Sequence, residues 1–276
     1  MVTFIGLSDK QVLGTDEKQA SVILHAAGSL RSSLTEVVQA FTQEYDIIVK
    51  LEFDHSGLIR ERLLEGEYSD IFASADMANP TALMKASISR PVVNFVKNKM
   101  CAIAKPGLTV TSDNILDLIL DPEIRLGTST PNQDPSGDYA QEIFRKAEKI
   151  RPGSFEKLNQ KALHLVGGRN SPEVPVGKNK FAYFIAETQQ VDVFLSYYTG
   201  ARLAVKSFPT LQIVELPENL TVKANYGMAL MNNASSYGVM LAMYILSPVG
   251  QEILAKYGFY SPLLLENYLS SSLEQS

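Results

Sequence analysis

The stretch Ser21-Val22-Ile23-Leu24-His25-Ala26-Ala27-Gly28-Ser29-Leu30 decides the fold class. Its first seven residues form a short, nearly continuous apolar run, the pattern of a strand buried on both faces of a parallel sheet. Gly28-Ser29 breaks the run. From Leu30 the apolar residues fall at Leu34, Val37, Val38 and Phe41, the stripe of an amphipathic helix, with Ser29 placed to cap its start. Strand, tight turn and helix make one unit.

The unit recurs. Residues 47–53 read as a second strand, Asp54-His55-Ser56-Gly57 as its turn, and 58–64 as a helix ending near Gly66. A third strand (71–75), a helix (80–86) and a strand at 100–104 follow, closed by Lys105-Pro106-Gly107. Beyond it come a helix (114–120), a strand (125–128), a turn (131–137) and a helix (138–150), then a long loop at 167–177. A helix at 181–186 and strands at 191–197, 211–216 and 226–231 lead to a closing helical pattern at 237–246 and 248–257. Strands alternating with helices predict an α/β architecture. The first 20 residues are polar and aperiodic and read as an extension.

Composition narrows the function classes. With 276 residues, 45% apolar and 20% charged, the chain has the make-up of a folded globular protein. A net charge of −5 without clustered Lys and Arg argues against nucleic acid as a partner. It does not argue against a small anion, which is held by local donors and helix ends. The single cysteine, Cys101, lies in an apolar run and reads as a core residue; His25, His55 and His164 form no metal spacing, so neither a metal nor a cofactor is expected. No run of 18 apolar residues occurs, and residues 1–10 lack the basic start and apolar core of an export signal.

Three hydroxyl-bearing turns stand out: Gly28-Ser29, Ser56-Gly57 and Ser136-Gly137, each before an expected helix. A helix start presents unpaired N–H groups and the positive dipole end, so three such starts can surround one anion beyond the carboxyl ends of the strands. Plain N-capping, worth about 1 kcal/mol, is the alternative reading of each.

The ordered fragments Ala26-Ala27-Gly28-Ser29-Leu30, Ser56-Gly57, Asp70-Ile71-Phe72-Ala73-Ser74-Ala75-Asp76, Asn98-Lys99-Met100, Asp134-Pro135-Ser136-Gly137-Asp138-Tyr139-Ala140, Asp192-Val193-Phe194-Leu195-Ser196-Tyr197 and Ser247-Pro248-Val249-Gly250-Gln251 resemble the molybdate- and tungstate-binding proteins of ABC uptake systems. The likeness covers residues 21–262. It implies a two-lobed periplasmic-binding-protein type II fold, each lobe a mixed sheet flanked by helices, with hinge crossings near Ala104 and Val222. Lobe 1 is then 21–103 plus 224–276, and lobe 2 is 104–223. It also implies a monomeric, periplasmic, non-enzymatic protein that captures a small tetrahedral oxyanion and delivers it to an ABC permease.

Carried over by position, the family's contacts fall on Ser29 and Ser56 in lobe 1 and on Ser136, Asn179 and Tyr197 in lobe 2, with Tyr198 as competitor to Tyr197. The family site uses neutral donors. Here His55, Lys178, Lys180 and Arg169 lie close in sequence to those positions, which leaves sulfate, phosphate or a small carboxylate open as ligand. A ferric ion held by Tyr197 or Tyr198, with His25 or Glu52, is a further alternative. A hydrolase finds no support: there is no GxSxG elbow, phosphate-loop lysine or dinucleotide fingerprint. A cytoplasmic ligand sensor would account for the missing export signal.

Overall fold

The computed structural model describes residues 21–262. The extension at 1–20 and the end of lobe 1 beyond 262 lie outside the described residues. Strand β1 (Ser21–Ala27) runs through a 3-10 turn (Gly28–Leu30) into α1 (Arg31–Tyr45), which buries Leu34, Val37, Val38 and Phe41. The unit then repeats as β2 (Ile48–Asp54) with α2 (Ser56–Leu64), and β3 (Ile71–Ala73) with α3 (Ala78–Lys85). The long strand β4 (Val93–Ala104) precedes α4 (Ile115–Leu120), β5 (Leu126–Ser129), α5 (Pro135–Ile150), α6 (Ser154–Lys161) and β6 (Leu163–Val166). After a loop come α7 (Lys180–Ala182), β7 (Val193–Tyr197), α8 (Tyr198–Ser207), β8 (Gln212–Glu215), β9 (Lys223–Leu230), α9 (Ser236–Leu246) and α10 (Pro248–Lys256).

The strands form a mixed sheet in the order β2-β1-β3-β9-β4-β7-β5-β6, with β8 also on β4. Parallel pairs (β1 with β2 and β3; β5 with β6 and β7) carry the βα units of each half, and antiparallel β4 and β9 join the halves. β4 serves both. Its residues Val93–Lys99 pair with β9, and Met100–Ala104 pair with β7, so the chain leaves the first half at Lys99–Met100. The strand carrying the first crossing thus begins at Val93 and not at Met100 as the apolar pattern predicts, because Asn94, Lys97, Asn98 and Lys99 interrupt that pattern. The return lies at Val222, whose carbonyl accepts from Met100 N at 3.0 Å. The two crossings run side by side. Buried Asn98 ties them together, donating from Nδ2 to Thr199 Oγ1 at 2.9 Å and to Tyr226 Oη at 3.3 Å.

One apolar cluster extends through both halves, and a second, built on Phe181, Phe184, Phe194 and Leu211, fills the far side of the second half. Cys101 lies in that second cluster, and burial pushes its thiol up to about 12. Among the described residues no single helix is long and apolar enough to cross a membrane.

Asp192, at the entry to β7, is the ion-pair anchor of the second half. Its buried carboxylate accepts from Arg125 Nη2 at 2.7 Å, Arg125 Nε at 3.0 Å and Lys105 Nζ at 2.7 Å, tying the ends of β4 and β5 together. The Arg125 hydrogen bond above all holds the carboxyl well below the usual carboxylate range, with Lys105 adding to it. A depressed folded value contributes stability that is complete above the unfolded value near ~3.9 and drains away as pH falls toward the folded one. Both cations are partly exposed and screened, so Asp192→Asn is expected to cost about 2 kcal/mol at neutral pH, and less below about pH 4. Urea midpoints at the two pH values measure this; an equal loss at both would contradict it.

Candidate functional site

A cavity of about 110 Å³ lies between the halves, and all five residues singled out in the sequence line it: Ser29, Ser56, Ser136, Asn179 and Tyr197. They reach it by different routes. Ser29 sits inside the 3-10 turn and does not cap α1; its Oγ lies 3.1 Å from Tyr226 Oη. Ser56 opens α2, is fully buried, and its Oγ accepts from Ala75 N at 3.1 Å.

Ser136 is not a cap either. Asp134 caps α5, accepting from Ser136 N at 3.1 Å, with Pro135 in the first turn, where its missing N–H costs nothing. That leaves the Ser136 hydroxyl free, and among the described residues this buried Oγ has no hydrogen-bond partner. Asn179 caps α7 with its Oδ1, accepting from Phe181 N at 3.0 Å and Ala182 N at 3.1 Å, so its Nδ2 remains for a ligand. Tyr197 ends β7, and its phenol donates across the cleft to Ala75 O at 3.4 Å. Tyr198 turns away and lies beneath Lys99, whose Nζ stands 4.8 Å from the ring centroid. Burial raises the Tyr197 phenol well above its ordinary value, so it stays a proton donor.

Sequence reasoning passed over three wall residues. Ser196 is 1% exposed, and its Oγ also has no partner among the described residues. It is the penultimate residue of β7 and Ser129 the last of β5, the place where the rule for ligand position in α/β sheets would have found them. Asp134 completes the set, and Lys180, noted in the sequence, shares the wall with them. Lys180 is half-buried, its Nζ lies 5.2 Å from the Phe181 ring centroid, and no carboxylate among the described residues comes within 4 Å of it. Desolvation lowers its pKa, and the charge of Asp134 opposes that only in part.

Of the four basic residues noted in the sequence, two face inward. Lys180 and His55 line the cavity, with His55 Nδ1 3.7 Å from Asp134 Oδ2. Lys178 pairs with Glu187 at 3.0 Å and Arg169 with Glu61, both away from the wall. The Arg169–Glu61 pair bridges the halves. So does Gly57, where an added Cβ would stand 3.1 Å from Gln133 O and 3.2 Å from Asn132 O. The halves meet closely around the cavity.

The ferric alternative loses its partners. His25 and Glu52 do not line the cavity; His25 Nε2 lies 3.3 Å from Glu52 and 3.2 Å from Glu67. Those two carboxylates are also paired with Lys50 at 2.7 Å and Arg62 at 3.1 Å, while His25 Nδ1 has no hydrogen-bond partner among the described residues. Tyr197 is left as a protonated phenol without either of its expected first-half partners, His25 and Glu52, on the cavity wall.

Comparisons with known proteins agree on the architecture. A family model described as bacterial extracellular solute-binding protein matches residues 22–260. An uncharacterised protein of Pasteurella multocida is 36% identical over 74% of this chain and 84% of its own length. The molybdate-binding protein ModA of Mycobacterium tuberculosis is 25% identical over 90% of this chain and 88% of its own. Among solved structures, the periplasmic molybdate-binding protein of Azotobacter vinelandii superposes with TM-score 0.69 at 16% identity, over 87% of this chain and 99% of that one. The sulfate-binding protein SubI of M. tuberculosis superposes with TM-score 0.70 at 16% identity, over 88% of each. The fold is thus that of the type II periplasmic binding proteins.

Proposed function

This chain belongs to the family of bacterial extracellular solute-binding proteins, and we propose that it captures a small tetrahedral oxyanion between its two halves. Delivery goes to the permease of an ABC importer, with the protein acting as a periplasmic monomer and not as an enzyme. The observation that carries the reading is the pair of buried hydroxyls, Ser136 and Ser196, that have no partner in the described residues and face one cavity. A buried polar group left unpaired costs about 1–3 kcal/mol, and the lone pairs of an anion between the halves would relieve both.

Size supports the same class. An apolar cavity of ~150 Å³ holds benzene, so about 110 Å³ suits a ligand of some five heavy atoms, the number in a tetrahedral oxyanion. Ser29 and Ser56 donate from the first half, and Ser136, Asn179 Nδ2 and, on giving up its long bond to Ala75 O, Tyr197 from the second. Because donors come from both sides, the ligand favours the closed arrangement over an open one. Catalysis finds no support in the wall: His55, the one imidazole lining the cavity, lies near the Asp134 carboxylate and makes no hydrogen bond to a serine hydroxyl among the described residues.

Molybdate, tungstate, sulfate and phosphate, titrated by thermal shift and calorimetry, test the proposal. One of them at 100 times its Kd is expected to stabilise the protein by about 2.7 kcal/mol. Flat titrations with all four would end the oxyanion reading. A small carboxylate is the second reading, favoured by the unpaired ammonium of Lys180 on the wall.

A further inference from the structure

Resting on the oxyanion reading, we propose that the cleft selects a protonated oxyanion, of the hydrogen phosphate class, over the fully ionised sulfate and molybdate. Asp134 carries the inference. Its side chain lines the cavity, and the residue is 8% exposed. Oδ1 is spent on the cap of α5, accepting from Ser136 N at 3.1 Å. Oδ2 accepts no hydrogen bond among the described residues; His55 Nδ1, its nearest basic partner, stands at 3.7 Å, beyond hydrogen-bond reach.

The wall therefore offers unmatched groups of both kinds. Ser136 and Ser196 bring free hydroxyls and Lys180 an unpaired ammonium, all able to donate. Asp134 Oδ2 brings one acceptor. Sulfate and molybdate at neutral pH present only lone pairs, so an oxygen turned toward Asp134 meets a second acceptor of like charge. Hydrogen phosphate presents one P–OH and three further oxygens. The P–OH donates to Asp134 Oδ2, the other oxygens accept from the hydroxyls and the ammonium, and the Lys180 charge offsets that of the carboxylate. A site with a buried group that only one ligand can satisfy discriminates far more strongly than one that sorts by size.

The discriminating experiment compares native protein with Asp134→Asn by calorimetry at about pH 8, where inorganic phosphate is chiefly the singly protonated dianion. Asn caps a helix about as well as Asp, so α5 and the fold are retained, while its amide N–H₂ can replace the acceptor by a donor. Native protein is expected to bind phosphate at least ~10-fold tighter than sulfate or molybdate, given the strength of hydrogen bonds to charged groups. The variant is expected to lose ~10-fold or more for phosphate and to gain for sulfate. Opposite signs are the signature, since removing a negative charge alone would raise both affinities together. Sulfate or molybdate binding tightest in native protein overturns the selection and leaves the oxyanion cleft standing, and so does a common shift of both anions in the variant. No binding of any of the three removes both.

Discussion

Ser136→Ala and Ser196→Ala, combined in one variant, are expected to lower oxyanion affinity by about 100-fold or more while leaving the ligand-free protein as stable as before. The two halves of that result have one cause. Each hydroxyl is buried with no partner among the described residues, so its removal forfeits no hydrogen bond in the empty protein and can relieve a desolvation cost. With ligand in place each hydroxyl would donate to a charged acceptor, a bond worth about 1.5–3 kcal/mol, or roughly tenfold or more per serine. Calorimetry reads the affinity, and urea unfolding in anion-free buffer reads the stability. An unfolded variant would mean that the hydroxyls are structural, and undiminished binding would mean that they do not face the ligand.

The second large effect is on the fold. Gly137 packs against the chain entering α5, and an added Cβ would stand 2.5 Å from Thr130 C, 2.6 Å from Pro131 N and 2.7 Å from Ser129 O. All three are backbone atoms that no rotamer change can move. Gly137→Ala is therefore expected to destabilise by about 3 kcal/mol, the upper end of ordinary overpacking, which corresponds to a fall in Tm of roughly 6–12 °C. Because α5 carries Ser136, affinity is expected to fall with it. Gly28→Ala is the contrasting variant, since its Cβ would meet nothing closer than Asp54 O at 4.0 Å and its stability is expected near native. A thermal melt showing the two alike would contradict the packing argument.

Much of this architecture is readable from periodicity. The β1 run of small and branched residues and the stripe on α1 announce a parallel βα unit, and the structure has that unit at those residues. What escapes is governed by tertiary context. The first part of β4 alternates polar and apolar residues because it lies at the junction of the halves, where Asn98 is fully buried by its bonds to Thr199 and Tyr226. Helix α8 follows β7 with no intervening turn residue, so no local signal separates Tyr197 from Tyr198.

The candidate site shows the same division. Ser29, Ser56 and Ser136 are identifiable as small residues at the ends of strands and starts of helices, and all three line the cavity. The capping alternative fails at Ser136: the motif Asp134-Pro135 marks the start of α5, two residues before the turn suggests, and leaves Ser136 a free hydroxyl. The inward turn of Lys180 and His55, against the outward turn of Lys178 and Arg169, depends on which side of a loop meets the opposite half. Sequence spacing carries no record of it.

The aromatic rings at the junction have a consequence for observation. Tyr139 and Tyr197 lie 6.1 Å apart, Tyr197 and Tyr226 5.5 Å, and Tyr226 and Phe259 5.3 Å, a row that passes from α5 through β7 to β9 and beyond. The chain has twelve tyrosines and no tryptophan, so its near-ultraviolet emission is dominated by phenols, and the middle of that row sits at the junction of the halves. On the proposed reading, filling the cleft is expected to change that tyrosine emission, which a titration with no dye attached measures.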